Sequence, residues 1–302
     1  MKKVIFYLKG FFILLLLASK VSASMRVSTL NTSANEDAIQ KISDKQKTQA
    51  SPSASKYTLS VSETWLKNKN HFAALKGRTM GNISSVALNA KESATWDWGV
   101  AALLMKNKIN TFANNGVENT TSNGIVPYAV YKLNPNISFN VLGGAITSRL
   151  RISEIDNNKL GAGVARSNAG FFETGVTTKK TFGRFTPSLH ASILYYNSKT
   201  GRYNLSNGTN TSAEWSHLMQ GRIGARLDMR LDPFSLYAKS ASEVLLRRSS
   251  NYIIQDWNGW SATGGFIYFL SPTWNVSGEY KYHRLPIGAR QSSILLRLNM
   301  RY

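Results

Sequence analysis

The chain has 302 residues, no cysteine, and 37 Lys and Arg against 16 Asp and Glu, a formal net charge of +21. The missing cysteines exclude disulfides, thiol catalysis and thiolate metal sites. A charge this positive points to polyanionic surroundings, and an export signal at the start of the chain argues against nucleic acid.

That signal begins with Lys2 and Lys3 and continues through an apolar run from Val4 to Ala18, broken only by Lys9 and Gly10. Val21, Ser22 and Ala23 put small residues at the −3 and −1 positions of a signal peptidase site. Residues 1–23 are therefore expected to be a signal peptide, with Ser24 the first mature residue. Loss of Lys2, Lys3, Lys9 and Lys20 would leave a mature charge of +17. No later segment reaches the roughly 18 consecutive apolar residues of a membrane helix. Any further membrane crossing must then use strands.

Residues 24–56 are rich in Ser, Thr, Lys, Gln and Asn. This composition predicts a polar linker, with a segment lying inside a barrel lumen as the alternative. From Tyr57 the texture changes to segments of about ten residues that alternate in polarity, the pattern of strands with one face in lipid and the other in a polar interior. Strands are predicted at 57–65, 79–88, 95–106, 124–133, 137–147, 167–179, 184–197, 216–230, 234–246, 259–270, 273–284 and 291–302. The count is twelve, with ten as the alternative. Residues 63–78 read either as a loop or as a helix carrying Trp65, Leu66, Phe72, Ala73 and Leu75 on one side.

Four segments show the alternation best. Trp96, Trp98, Val100, Ala102 and Leu104 oppose Asp97, Gly99, Ala101, Leu103 and Met105. Met219, Ile223, Leu227 and Met229 oppose Gln220, Arg222, Arg226, Asp228 and Arg230. Trp274, Val276, Tyr280 and Tyr282 oppose Asn275, Glu279, Lys281 and His283. In the last segment Ile294, Leu296, Leu298, Met300 and Tyr302 oppose Leu295, Arg297, Asn299 and Arg301. Arginines between apolar residues require one wet face. Pro135, Pro233 and Pro272 mark short turns, and the opposite connections, 107–123, 148–166, 198–214 and 247–258, read as long polar loops. Short turns on one side and long loops on the other characterise outer-membrane barrels.

The run Gly221-Arg222-Ile223-Gly224-Ala225-Arg226-Leu227 before a proline turn, together with the alternating last strand ending in Tyr302, resembles the C-terminal translocator barrel of autotransporters. The resemblance covers residues 57–302. It implies a 12-stranded barrel, a helical segment in the lumen, and assembly by the outer-membrane insertion machinery that reads the last strand, here Leu298, Met300 and Tyr302. Only residues 24–56 precede the barrel, so the chain resembles the solitary, passenger-less members of that group.

Few residues suggest chemistry. His190 and Ser192 share the His-x-Ser spacing of outer-membrane phospholipases and lipid A deacylases. In register they face the lumen rather than lipid, and they read as two polar lumen residues. His71, His217 and His283 have no second ligand at a metal-binding spacing. The chain is accordingly expected not to be an enzyme, and to need no cofactor or metal. The larger feature is a lumen-facing basic wall of Arg222, Arg226, Arg230, Lys239, Lys281, Arg297 and Arg301, set against Asp97, Glu173, Asp228, Glu243 and Glu279. Such a wall could favour anions in a small diffusion channel or form cross-strand ion pairs that fill a structural barrel. The outward Trp96, Trp98, Trp260, Trp274, Tyr280 and Tyr282 suit interfacial girdles. The expected partners are membrane lipid, lipopolysaccharide and the assembly machinery, with the chain acting as a monomer.

Overall fold

Alternating side chains commit each segment to a strand with two unlike faces, and closing the sheet pairs every backbone edge, which lipid demands. The computed structural model describes residues 56–70, 77–111, 116–156, 159–208, 210–248, 258–285 and 289–302. The signal peptide, nearly all of the polar segment, and Phe72, Ala73 and Leu75 lie outside these residues. The strands are β1 (Tyr57–Asn70), β2 (Gly77–Lys91), β3 (Trp96–Thr111), β4 (Gly116–Asn134), β5 (Ile137–Asp156), β6 (Lys159–Lys179) and β7 (Phe185–Thr200). They continue with β8 (Tyr203–Asn204), β9 (Asn210–Thr211), β10 (Glu214–Leu231), β11 (Phe234–Arg248), β12 (Asn258–Phe269), β13 (Trp274–Arg284) and β14 (Arg290–Arg301). Strands β8 and β9 form a small separate sheet, and the other twelve close into one antiparallel barrel with β1 paired to β14.

The register fixes the barrel's geometry. One row of paired residues starts at Phe185 and passes Met229, Leu236, Phe266, Gly278, Leu296 and Glu63. It continues through Ser84, Leu104, Asn123, Thr147 and Asn168 and returns to β7 at Lys199. The stagger from Phe185 to Lys199 is 14 residues. At about 3.3 Å per residue and about 4.8 Å between strands, this tilts the strands by about 40°.

The outward face is apolar. Ile223 is 60% exposed and Ile125 58%, and Val61, Trp98, Phe139 and Leu296 are also open. A water-soluble barrel would hide such residues. Here they form the band that meets lipid, flanked by cross-strand aromatic pairs: Tyr57 with Tyr302, Trp96 with Tyr131 and Phe234 with Tyr268 at the short-turn end, and Trp260 with Tyr282 at the other. The tryptophans predicted for the girdles face outward. No helix of the described residues is long and apolar enough to cross a membrane; the outward apolar band lies on the strands.

Two sequence expectations are corrected. Residues 107–123 and 148–166 are not long loops: β3 runs to Thr111, β4 starts at Gly116, β5 runs to Asp156 and β6 starts at Lys159. Strands β4, β5 and β6 have 19, 20 and 21 residues, whereas about ten suffice to span a bilayer. Their upper halves stand above the apolar band. Both faces can be polar there, so alternation fades while the ladder persists. Likewise β1 continues to Asn70, so residues 63–70 are strand, with Trp65 outward and Leu66 buried.

Candidate functional site

The chemically distinctive region is the lumen, lined by the inward rows of the twelve strands. Its centre is Glu243 on β11, which is fully buried. Arg222 stands opposite it on β10 and donates to Glu243 Oε1 from Nη2 at 2.8 Å and from Nε at 3.2 Å. Gln220 donates to Oε2 at 2.8 Å. His283 on β13, 1% exposed, donates to the same oxygen at 2.8 Å. His283 and Glu243 are two strands apart. They meet because β12 places Gly259, which has no side chain, opposite Glu243 and the small Ser261 opposite His283, so nothing bulky on β12 separates them.

A second cluster lies nearer the short-turn end. Arg226 donates to Asp228 from Nε at 2.8 Å and from Nη2 at 2.5 Å. Its guanidinium lies 4.0 Å from the centroid of the Tyr237 ring, a stacking arrangement that arginine suits. The Tyr237 hydroxyl donates to Glu279 at 2.9 Å. This ring can lie flat on β12 because its neighbour is Gly265, where an added Cβ would overlap the ring. Tyr128 covers Gly99 in the same way. Lys132 and Asp97 form a further pair at 2.5 Å.

The seven residues of the expected basic wall thus occupy different settings. Arg222 and Arg226 are each held by a carboxylate. Arg230 lies at the short-turn mouth, 62% exposed, paired with Asp232. Lys281 is buried between Thr263 and Ser293. Lys239 faces Arg226 and Thr263, Arg297 lies between Ser62 and Ser277, and Arg301 faces Thr58. Basic and acidic groups are interleaved on the wall.

Sequence reasoning missed two features. His283, isolated along its own strand, belongs to the Glu243 cluster, and only the register of three strands reveals this. An apolar belt also lines part of the lumen, including Met105, Leu142, Ile146, Phe171, Leu194 and Tyr196, all buried. The signal was present in β3 and β5, where inward Leu103, Met105, Leu142 and Ile146 make both rows apolar.

His190 and Ser192 lie on the inward row of β7 and are buried. His190 Nδ1 donates to the Val176 carbonyl at 3.1 Å and lies 3.2 Å from Thr177 Oγ1. Leu298, Met300 and Tyr302 lie on the outward row at the closing seam, where Leu298 faces Val61 and Met300 faces Leu59. Tyr302 stacks on Tyr57 with centroids 5.9 Å apart, and the two residues exchange backbone hydrogen bonds of 3.0 and 3.1 Å. Among the described residues there is no group of three or more His, Asp or Glu that could hold a metal ion.

No family model matches the sequence, and no curated protein does. Solved structures match strongly. The translocator domain of the autotransporter NalP from Neisseria meningitidis superposes with a TM-score of 0.80 at 12% identity, over 90% of this chain and 98% of that one. The β domain of the Bordetella autotransporter BrkA gives 0.65 at 11% identity, over 82% and 99%. The transport unit of AIDA-I from Escherichia coli gives 0.61 at 12% identity, over 84% and 92%. The chain is a 12-stranded barrel of the outer-membrane type, with the fold of autotransporter translocator domains.

Proposed function

We propose that this barrel serves as a structural and surface-presenting element of the outer membrane, not as an anion channel. The observation that carries this reading is the pairing in the lumen. Two of the cations on the wall, Arg222 and Arg226, are each held by a carboxylate, Glu243 and Asp228. A guanidinium neutralised at 2.8 Å contributes little field to a pore, and the apolar belt beside it offers an anion no hydrogen bonds. Strands β4 to β6, standing above the apolar band, supply a surface outside the membrane. His190 and Ser192 support a non-catalytic role, because their inward register holds them away from acyl chains.

Planar-bilayer recording tests this reading. The full-length protein should insert without an anion-selective current. A steady anion-selective conductance that weakens in Arg222→Gln would overturn the proposal in favour of a small diffusion channel.

A further inference from the structure

On the outward face, at the end opposite the short turns, four cations stand side by side. Arg284 on β13 is directly opposite Arg290 on β14, Arg290 is opposite Lys69 on β1, and Lys69 is opposite Arg78 on β2. Arg284, Arg290 and Lys69 are exposed. Like charges in directly opposed positions destabilise a sheet, yet here they recur across three successive ladders with no carboxylate in the row. The segments that join β1 to β2 and β13 to β14 contain no Asp or Glu, while the segment that precedes β12, the other neighbour of Arg284, contains Asp256. The Arg78 Nε is buried and donates to no described atom. A like-charged pair also stands on the same rim, where exposed Arg149 faces exposed Arg166 across β5 and β6.

The level of the row identifies its surroundings. Two residues below Arg284 is Tyr282, part of the Trp260–Tyr282 girdle pair. Four below Arg290 is Ile294, four below Lys69 is Trp65 and two from Arg78 is Met80, all exposed. The cations therefore lie where the lipid-facing surface ends and headgroups begin. Four positions at about 4.8 Å spacing span about 14 Å, which fits a headgroup with more than one phosphate better than a single phosphodiester. Arginine forks bind phosphate oxygens in pairs.

We infer that Lys69, Arg78, Arg284 and Arg290 form a binding site for the phosphates of a multiply phosphorylated outer-leaflet glycolipid of the lipopolysaccharide type, its acyl chains lying on the apolar face below. The inference rests on the membrane-spanning reading of the barrel, with this rim at the outer leaflet.

The test uses the full-length protein in phosphatidylcholine vesicles doped with bisphosphorylated lipid A or with its dephosphorylated form. Lipid retained per barrel after detergent extraction is counted by mass spectrometry. Wild type should retain the phosphorylated form preferentially, and less of it as salt rises. The triple variant K69Q/R78Q/R290Q should bind on the order of a hundredfold more weakly, while K91Q, at the short-turn end, should bind like wild type. Heat-modifiable migration checks that each variant is folded. Equal retention by a folded triple variant, equal retention of the dephosphorylated lipid, or displacement by millimolar inorganic phosphate would overturn the inference alone. A wild-type chain that does not enter the bilayer overturns it together with the membrane reading.

Discussion

Arg222 and Glu243 face each other across the β10–β11 ladder, 2.8 Å apart at Nη2 and Oε1, with side chains 6% and 0% exposed. A buried pair of this kind stabilises little relative to apolar residues, yet removing one partner strands the other charge. Glu243 also accepts from Gln220 and His283, so its loss removes an acceptor shared by three side chains.

Glu243→Ala should therefore destabilise the barrel by about 3 kcal/mol, read as a lower urea midpoint in lipid vesicles. Arg222→Met/Glu243→Leu, which removes both charges, should cost less than Glu243→Ala alone. If Glu243→Ala cost under about 1 kcal/mol, the pair would behave as a solvent-screened one, and the lumen around it would be wet.

Glu63 sets up the opposite situation. It lies on the lipid-facing row of β1, between exposed Val61 and Trp65 and opposite Leu296, and it accepts a hydrogen bond from Asn82 at 2.8 Å. Tyr57, at the short-turn girdle, is six residues away, about 15 Å along the barrel axis at the tilt derived above. Acidic groups at such depth are unfavourable, though less so than Lys or Arg. Glu63→Leu/Asn82→Val should stabilise the inserted barrel by about 1 kcal/mol in urea titrations. A clear loss of stability would show that this polar pair is held by a protein surface and not by lipid.

The closing seam depends on the last three residues. Met300 faces Leu59 and Trp274, and Tyr302 stacks on Tyr57. Deleting residues 300–302 removes this stack and both reciprocal backbone bonds. It should abolish heat-modifiable migration on gels, while Tyr302→Phe should assemble normally. Undiminished assembly of the truncated chain would rule out a role for these residues in insertion.

The sequence alone determined which segments cross the membrane and which face of each meets lipid. A period of two with unlike rows has one solution when one side is lipid, and the alternate residues Trp96, Trp98, Val100 and Leu104, like Ile294, Leu296, Leu298 and Tyr302, face outward as that pattern requires. It also located the short turns at Pro135, Pro233 and Pro272, where proline stands among polar turn residues, whereas Pro127 and Pro187 stand inside β4 and β7. It did not reveal the strand extensions above the membrane, since a strand with water on both faces loses the contrast that marks it. Nor could it pair Glu243 with His283, or line up Arg284, Arg290, Lys69 and Arg78. Those relationships depend on register between strands as far apart in sequence as β1 and β14. Register follows from closing twelve strands with a 14-residue stagger, a condition on the whole barrel that no single strand carries.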